Sequence, residues 1–437
     1  MICLYCILLI VYTRVMYARM AAEKRLDDLA TWLRVVIVNG PRQSGKTTLL
    51  TQYRERHKGT YVTLDDTFQL EQARLDPMTF VEQGEPPLMI DEVQRGGDAL
   101  VRAVKMVVDQ RQQRGQFILS GSAKFLTIPT LSESLAGRAG FQELWPLSMS
   151  ELTGGPAGFI DQIFTEPSRA VSGASPWRRD DYLDAITRGG YPEAVTIPVA
   201  PARRAWYDGY LDTVITRDIG DFASVQNGGA LRRALALLAA RSGSVLVGAD
   251  LARSLQISAE TTRNYLAYLE MVFLTLTIPA WSTNLTSKIA KSPKVFVTDS
   301  GLASHLLRAS PASLKPVGHP ALGGLLETFV LSELNKLRAI SETDVLIHHL
   351  RDRQGAEVDF ILEGPDGKIV AIEVKATASP ASNDARHLYW LKEKLGDQLI
   401  AGVVLHLGSA AGSLGERILA LPVSALWGNA VPPTTRR

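Results

Sequence analysis

The sequence predicts an α/β protein with a strand–turn–helix domain at the N-terminal end, a helical middle and a smaller α/β domain at the C-terminal end. Three observations predict this order. The apolar run Val35-Val-Ile-Val38 leads into a glycine-rich turn, a second apolar run ends in Asp91 and Glu92, and two acidic strand-like runs lie near the C-terminus. Short β-branched runs next to glycine-rich turns are typical of buried strands.

The first element is the octapeptide that follows residues 35–38, since it fits G-x-x-x-x-G-K-[ST], the P-loop that wraps nucleotide phosphates. Its glycines let backbone N–H groups turn toward phosphates, and the helix that begins near Thr47 adds positive potential. Lys46 would reach the β- and γ-phosphates, and Thr47 would hold Mg²⁺. We therefore predict a site for ATP and Mg²⁺ formed by Gly40, Pro41, Arg42, Gln43, Ser44, Gly45, Lys46, Thr47 and Thr48.

The second apolar run, 87–90, supplies the acids that a P-loop needs on a neighbouring strand. Asp91 would complete the Mg²⁺ shell, and Glu92 is placed to polarise the attacking water as a general base. The alternative is that these acids form a helix cap or a surface turn. The P-loop earlier in the chain favours the catalytic interpretation.

Two residues after this run have open alternatives. Ser120 follows the strand-like run 116–119 and would sense the γ-phosphate, unless it simply belongs to a turn of small residues. Arg138 precedes the strand-like run 141–144. An arginine there, at a subunit edge, would neutralise transition-state charge as an arginine finger, but an ordinary surface arginine has the same spacing.

With these motifs the chain resembles the bacterial and archaeal AAA-type ATPases that carry a C-terminal DUF4143 domain. The resemblance covers nearly all of the chain from about Met20 onward, in the segments 40–47, 88–94, 118–122, 134–138, 146–152, 189–193 and 217–218 and in the C-terminal acids. It implies an AAA+-like fold with a parallel α/β sheet, and self-association into a homo-oligomer. It implies little about the cellular task.

The middle of the chain predicts a winged helix. Residues 153–180 are rich in glycine, proline and serine, as in a linker, and the order helix, turn, helix, two strands follows over 230–297. In a DNA-binding version, side chains of the second helix would face the major groove: Glu260, Thr261, Arg263 and Asn264. The alternative is a lid or a protein contact, because that helix carries a single base, Arg263.

The dipeptide Arg217-Asp218 lies on a predicted helix ahead of the winged helix. We interpret it as an ion pair on the surface of that helix. A second sensor that reaches the nucleotide is the alternative.

The C-terminal acids have the order of a PD-(D/E)xK nuclease site. Glu327 lies on a predicted helix, Asp359 on a strand, and Glu373 and Lys375 on the strand after a turn. Residues two apart in a strand share a face, so a hairpin would bring Asp359 next to the other two. Glu327, Asp359 and Glu373 would hold Mg²⁺, and Lys375 would orient water or stabilise phosphate charge. The alternatives are a solvated strand face or a nuclease-like fold retained for binding or assembly.

Composition limits these functions only weakly. A net charge of +2 does not decide for or against nucleic acid, and with two cysteines, Cys3 and Cys6, no disulfide framework forms. We therefore predict a reducing, cytoplasmic location. The apolar run 2–12 is too short to span a bilayer and has no charge ahead of it. We interpret it as upstream of a true start at Met16 or Met20, with a membrane-associating segment as the alternative, and we predict no firm membrane partner.

These interpretations give four parts: an apolar extension, 1–19; a P-loop AAA+-like ATPase domain, 20–152; a linker with a helical and winged-helix region, 153–300; and a nuclease-like α/β domain, 301–437. The predicted function is Mg²⁺-dependent ATP hydrolysis whose nucleotide state changes how the other domains contact DNA. One alternative is an ATP-regulated switch or scaffold with a catalytically silent C-terminal domain. The other is an ATP-gated, metal-dependent DNA endonuclease.

Overall fold

The computed structural model of the protein describes residues 17–124, 135–171, 173–220, 228–282, 292–352 and 354–433. The apolar run 2–12, with Cys3 and Cys6, and Met16 lie outside the described residues. Within the described ranges, every helix is too short or too polar to cross a membrane.

The N-terminal domain is built on a five-stranded sheet of order β2-β3-β4-β1-β5, in which every neighbouring pair is parallel. Its strands are β1 (Val35–Asn39), β2 (Thr60–Thr63), β3 (Leu88–Asp91), β4 (Phe117–Gly121) and β5 (Ala139–Glu143). All five residues of β1 are buried because helices cover both faces of the sheet. The octapeptide leaves the carboxyl end of β1, the strand between β4 and β5, where ligands bind in open parallel sheets.

The helices of this domain pack on the two faces of the sheet. They are α1 (Met20–Trp32), α2 (Lys46–His57), α3 (Thr67–Leu75), α4 (Pro77–Glu82) and α5 (Gly97–Gln110). Leu100 and Val104 of α5 belong to one apolar cluster, and Leu26 of α1 with Leu49 of α2 belongs to the other. The sheet therefore holds the octapeptide rigidly between two cores.

The segment predicted as a linker is structured instead. The helices that follow β5 are α6 (Met149–Thr153), α7 (Phe159–Thr165), α8 (Arg179–Arg188), α9 (Pro192–Thr196) and α10 (Ala200–Thr213), which continues as a π-helical turn, Val214–Asp218. Trp177 is buried and donates from Nε1 to the carbonyl of Ala430 at 2.6 Å, and Ser175 donates its N–H to Ser409 at 2.7 Å. These contacts fix the segment against the C-terminal domain.

The next elements follow the predicted order of helix, turn, helix and two strands. They are α11 (Gly228–Ala240), α12 (Gly248–Leu255), α13 (Ala259–Met271) and the antiparallel strands β6 (Thr275–Ile278) and β7 (Lys294–Val297), then α14 (Ser300–Leu306) and α15 (Pro311–Leu314). Ser258 caps α13 as predicted, since its side chain accepts the N–H of Thr261 at 3.0 Å.

The C-terminal domain joins the long helix α16 (Pro320–Arg338) to a six-stranded mixed sheet of order β12-β13-β11-β10-β9-β8. Its other elements are β8 (Leu346–Arg351), β9 (Glu357–Glu363), β10 (Ile369–Lys375), α17 (Arg386–Leu395), β11 (Leu399–His406), β12 (Gly412–Gly415) and β13 (Ile418–Pro422). In the antiparallel hairpin of β9 and β10, Phe360 pairs with Ile372. This register brings Asp359 next to Glu373, as the sequence predicts.

A buried ion pair on α16 holds the C-terminal domain against the segment that leaves the N-terminal domain. Lys336 Nζ lies 2.8 Å from Glu333 Oε1 and donates to the carbonyl of Leu147 at 3.0 Å. The other oxygen of Glu333 accepts the N–H of Met149 at 2.8 Å. Buried charges are stable only when they are paired and hydrogen-bonded, and here both are.

Candidate functional site

The loop 40–45 connects β1 to α2 and has a backbone that requires glycine at both ends. A Cβ on Gly40 would lie 2.2 Å from the carbonyl oxygen of Leu144, and Gly45 has φ of +100°, which favours glycine. Ser44 Oγ is buried and has no hydrogen-bond partner within the described residues. The loop thus holds a buried polar atom at the N-terminus of a helix, where anions bind.

Lys46 is the first residue of α2 and folds back over this loop. Its Nζ donates to the carbonyls of Gly40 and Pro41, each at 2.9 Å. Burial lowers the pKa of Lys46, and the carboxylates of Glu92 and Asp91 partly offset this effect. The ammonium is therefore held at the loop by weak carbonyl acceptors, which an anion in the loop would replace.

Asp91 ends β3 and accepts hydrogen bonds from three neighbouring hydroxyls. Thr47 Oγ1 donates to its Oδ2 at 2.6 Å, the Tyr61 hydroxyl donates to the same oxygen at 3.1 Å, and Ser120 Oγ donates to Oδ1. Burial, followed by the charge of Asp91, raises the pKa of Tyr61 well above its ordinary value. A threonine hydroxyl and a carboxylate at this distance are oxygen ligands of the kind that Mg²⁺ prefers, so the residues fit a metal–phosphate site.

Glu92 lies next to Asp91 in a left-handed backbone conformation, with φ of 55° and ψ of 43°. Its Oε2 accepts from Gln94 Nε2 and, at 3.2 Å, from Ser122 Oγ. The Oε1 atom of Gln94 is buried and has no hydrogen-bond partner in the described part of the chain. Gln94 and Ser122 thus hold the carboxylate of Glu92 in place, and the Oε1 acceptor lies on the Gln94 side chain that contacts this carboxylate.

The π-helical turn after α10 closes over the loop from the other side. Arg42 Nη1 lies 2.9 Å from Asp218 Oδ1, and Arg217 Nη2 lies 3.5 Å from Asp65 Oδ1. Both residues of the dipeptide thus reach the N-terminal domain. The interpretation as an ion pair within one helix was wrong, because the π-helical turn directs each side chain to a partner across the interface.

A cleft of about 340 Å³ extends from the loop between Arg42 and Gln43 on one wall and α10 on the other. The α10 wall includes Trp206 and Tyr210, whose rings stack with centroids 5.4 Å apart and planes at 9°. An aromatic wall with a few polar groups is typical of small-molecule sites.

Arg19 links the octapeptide loop to residues 145–151, which follow β5. Its guanidinium donates to the carbonyls of Ser44 at 2.8 Å and Trp145 at 2.9 Å. It also binds both carboxylate oxygens of Glu151, at 2.7 and 3.2 Å. With 8% of its surface exposed, Arg19 packs as part of the nucleotide domain, whereas the sequence predicts it in the extension 1–19.

The segment after β4 connects Glu92 and Asp91 to the middle of the chain. Lys124, two residues beyond Ser122, donates its N–H to the carbonyl of Met271 at 2.9 Å. Its Nζ lies 3.0 Å from Glu270 Oε1, and both acceptors are at the C-terminal end of α13. The same segment therefore contacts the two acids through Ser120 and Ser122, and α13 through Lys124.

The C-terminal acids lie together, and Asp359 and Glu373 each lie near a lysine of the protein. Glu373 Oε2 lies 2.9 Å from Lys375 Nζ, and Asp359 Oδ2 accepts the N–H of Val374 at 2.8 Å. Burial, then the charge of Asp359, raises the pKa of both Glu327 and Glu373 to about 8. Within the described residues, no group of three or more His, Cys, Asp or Glu side chains is arranged to hold a metal ion. As they stand, these acids do not fit a Mg²⁺ site.

A lysine that the sequence analysis did not consider lies at this acid cluster. Lys294, the first residue of β7, has its Nζ 2.8 Å from Glu357 Oε1 and 3.8 Å from Asp359 Oδ1. Burial alone would lower the pKa of Lys294, but the charges of Asp359, Glu327 and Glu357 raise it above its ordinary value. The sequence feature that could have indicated Lys294 is a charged residue at the first position of an otherwise apolar strand, Lys-Val-Phe-Val.

Comparison with known proteins matches three family models along the chain. An AAA domain covers residues 33–153, a domain of unknown function (DUF8612) covers 179–313, and a second domain of unknown function (DUF4143) covers 322–426. The matches to an AAA domain and to DUF4143, in this order along the chain, confirm the resemblance to AAA-type ATPases with a C-terminal DUF4143 domain.

Relatives of this AAA-type ATPase include uncharacterized proteins from three organisms. One from Mycobacterium tuberculosis is 29% identical over 90% of this chain and 80% of its own length. One from Haemophilus influenzae is 22% identical over 84% and 89%, and one from Methanocaldococcus jannaschii is 24% identical over 78% and 74%.

Similar solved structures include a Walker-type ATPase of Pyrococcus abyssi, with 14% identity, a TM-score of 0.42 and coverage of 67% of this chain and 96% of that one. A second is the Thermotoga maritima RuvB Holliday junction branch migration motor, with 19% identity, a TM-score of 0.30 and coverage of 60% and 90%.

The AAA-type ATPase brings most of the predicted nucleotide residues together, but it leaves Arg138 apart. Arg138 precedes β5, and β5 pairs in parallel with β1, so Arg138 lies at the sheet edge opposite the octapeptide. Its guanidinium binds both oxygens of Asp109, with Nη2 3.1 Å from Oδ2. Arg138 cannot reach the loop of its own chain, and a role in a neighbouring subunit stays a prediction.

Proposed function

We propose that this AAA-type ATPase binds and hydrolyses ATP with Mg²⁺ at the loop 40–47. The observation that carries the proposal is the hydrogen bond of 2.6 Å between Thr47 Oγ1 and Asp91, directly beside Glu92 and at the start of α2. Lys46 would exchange its carbonyl acceptors for phosphate oxygens, and the N-terminus of α2 would add positive potential. When bound, Mg²⁺ would neutralise charge that develops on the transferred phosphoryl group.

Glu92 would act as the general base toward the attacking water. Its carboxylate is held by Ser122 and Gln94, so its orientation is fixed before substrate binds. The Oε1 atom of Gln94, which has no hydrogen-bond partner among the described residues, is a second acceptor on a side chain that contacts this carboxylate, and it would help to orient the water. Ser120, which donates to Asp91, would detect loss of the γ-phosphate through this contact.

Variants at the site test hydrolysis directly. Lys46→Ala and Glu92→Gln should each abolish ATP turnover, and Glu92→Gln should still bind a nonhydrolysable ATP analogue. The matched controls are Lys58→Ala and Glu82→Gln, both exposed residues of the same domain, which should leave turnover unchanged. Turnover that persists in both site variants would overturn the assignment.

We further propose that the nucleotide state reaches the middle region through the segment 120–124. Ser120 and Ser122 contact the two acids, and Lys124 contacts the end of α13. A shift at Asp91 or Glu92 on phosphate release would therefore pull on α13. Lys124→Ala loses the ion pair with Glu270 but keeps its backbone hydrogen bond to Met271, so the exchange change in α13 on ATP addition should be smaller than in the unmodified chain, while turnover persists. An identical exchange change in Lys124→Ala would rule out the ion pair as the route.

The exposed side of α13 is our candidate for DNA contact. Glu260, Arg263 and Asn264 are exposed on this helix, whereas Thr262 is buried. This is the surface that a winged helix would present to the major groove. Arg263→Ala should weaken binding to duplex DNA and lower its salt dependence, and equal affinity in both proteins would contradict the proposal.

A second candidate is an ATP-regulated switch whose C-terminal domain is catalytically silent. The pairing of Glu373 with Lys375 and of Glu357 with Lys294 supports it over an endonuclease, because these acids already have cationic partners. A change in oligomer size on ATP addition, without DNA affinity, would favour this switch. Metal-dependent cutting of plasmid that is lost in Asp359→Ala and Lys375→Ala would favour the endonuclease. The homo-oligomer and the cytoplasmic location stay predictions.

A further inference from the structure

The acid cluster of the C-terminal domain is occupied by an ammonium group that another domain supplies. Lys294 belongs to β7 of the middle region and is almost fully buried, with 1% of its side chain exposed. Its Nζ lies 2.8 Å from Glu357 Oε1 and 3.8 Å from Asp359 Oδ1. The charge of Glu327, on α16, helps to raise the pKa of the same ammonium.

The other oxygens of Asp359 and Glu373 have partners too. Asp359 uses its second oxygen to accept the N–H of Val374 at 2.8 Å. Glu373 contacts Lys375 at 2.9 Å through Oε2 and His387 at 3.7 Å through Oε1. Mg²⁺ needs about six oxygen ligands in a near-octahedral shell, and oxygens engaged in this way cannot supply it without moving.

Backbone contacts fix the position of this lysine. Trp281, after β6, donates its N–H to the carbonyl of His349 at 2.6 Å, and His349 donates its N–H to Pro279 at 3.1 Å. Lys294 itself bridges to Val245 and pairs with Ile278. The hairpin is thus hydrogen-bonded to β8 at the edge of the C-terminal sheet, and these contacts hold the backbone of Lys294 next to the cluster.

We propose that Lys294 is the resident cation of the acid cluster, in the place that a divalent metal ion would take. The cluster is then a metal-independent clamp between the β6–β7 hairpin and the C-terminal sheet. This inference is independent of ATP hydrolysis. It follows that the acids of the unmodified chain bind no divalent metal ion, and that removal of the ammonium exposes a metal site.

Titration of the full-length chain with Mn²⁺, followed by electron paramagnetic resonance without nucleotide, tests the proposal. For each protein, Mn²⁺ bound at the acid cluster is defined as the Mn²⁺ binding that disappears when Asp359→Asn is also introduced. The unmodified chain should bind no Mn²⁺ at the cluster. Lys294→Ala should bind about one additional Mn²⁺ per chain, since oxygen ligands without a cation attract one. The matched control Lys294→Arg keeps the charge and should gain no Mn²⁺.

Two results would overturn the proposal. One is Mn²⁺ binding by the unmodified chain that Asp359→Asn removes, because the acids would then accept metal despite Lys294. The other is a folded Lys294→Ala variant that gains no Mn²⁺. If Lys294→Ala does not fold, Lys294→Met, which restores most of the side-chain volume, takes its place. The titration of the unmodified chain does not depend on how these variants fold, so it tests in every case whether the acids bind Mn²⁺ despite Lys294.

Discussion

Replacement of Arg19 by alanine should loosen the octapeptide loop without any direct change to a phosphate-binding group. Arg19 is buried and makes four hydrogen bonds, two to Glu151 and one each to the carbonyls of Ser44 and Trp145. Loss of one partner from a buried ion pair costs about 3–5 kcal/mol. Glu151 keeps its bond to the N–H of Ser148 at 2.8 Å, so we expect a cost near the lower end, about 3 kcal/mol.

Amide hydrogen exchange in the peptide 40–50 measures this effect locally, which matters because a chain of several domains need not unfold in one step. A loss of about 3 kcal/mol from the local opening free energy corresponds to exchange about 100-fold faster. Arg25→Ala is the matched control, since Arg25 is exposed on α1. A chain that starts at Met20 lacks Arg19 and should behave like Arg19→Ala.

Unchanged exchange in the loop of Arg19→Ala would refute this reasoning, because the four contacts would then contribute nothing to loop stability. Affinity for a nonhydrolysable ATP analogue provides a second measurement. It should fall in Arg19→Ala and stay unchanged in Arg25→Ala.

Three further predictions concern single residues. Lys336→Met leaves Glu333 buried without its cation and should lower the free energy of unfolding, measured by urea titration, by about 3–5 kcal/mol. The double variant Lys336→Met with Glu333→Gln should recover part of this loss. Burial, with the nearby charge of Lys294, lowers the pKa of His349 from 6.5 to about 4. Between these two pH values the folded chain therefore binds fewer protons than the unfolded chain. The resulting stabilisation, about 3 kcal/mol, is present above pH 6.5 and is lost as the pH falls toward 4. In His349→Gln this dependence of stability on acid pH should shrink. Ser122→Ala removes one hydrogen-bond donor from Glu92 and should lower kcat for ATP with little change in KM. Ser122→Thr keeps a hydroxyl and should restore kcat. A change confined to KM would contradict the positioning role of Ser122.

The sequence predicts those parts of the site that lie within one strand and the turn after it. The octapeptide, Asp91 and Glu92 are such local patterns, and so is the pair Glu373 and Lys375, whose common face follows from strand periodicity. The hairpin that brings Asp359 to them is also local, since a short turn joins its strands. These residues were predicted because each pattern lies within a few consecutive residues, although the contact between Thr47 and Asp91 joins positions 44 residues apart.

The residues that the sequence analysis missed reach the sites from distant positions. Arg19 contacts Glu151, and Lys124 contacts Glu270, at separations of 132 and 146 residues. A lone arginine or lysine carries no sign of such a partner. Arg217 and Asp218 were misinterpreted for the same reason, because a π-helical turn, which no composition signal announced, directs them across the interface.

The burial of the polar contacts between domains indicates where the molecule can move. Glu333 and Lys336, with 2% and 7% of their side chains exposed, both lie on α16, and their hydrogen bonds to Met149 and Leu147 cross to the segment that leaves the N-terminal domain. Separation there would leave both buried charges without these partners, at a cost of about 1.5–3 kcal/mol for each hydrogen bond. Lys124 and Glu270 are 21% and 35% exposed, and exposed ion pairs contribute about 0–1 kcal/mol. A change in nucleotide state that supplies only a few kcal/mol would therefore separate the contact at α13 first and leave the contacts of α16 with Leu147 and Met149 in place. On this argument ATP-dependent exchange should appear in α13 and the segment 120–124, while α16 stays protected. Equal deprotection of α16 would mean that the whole interface opens, and that burial of these charges does not control the motion.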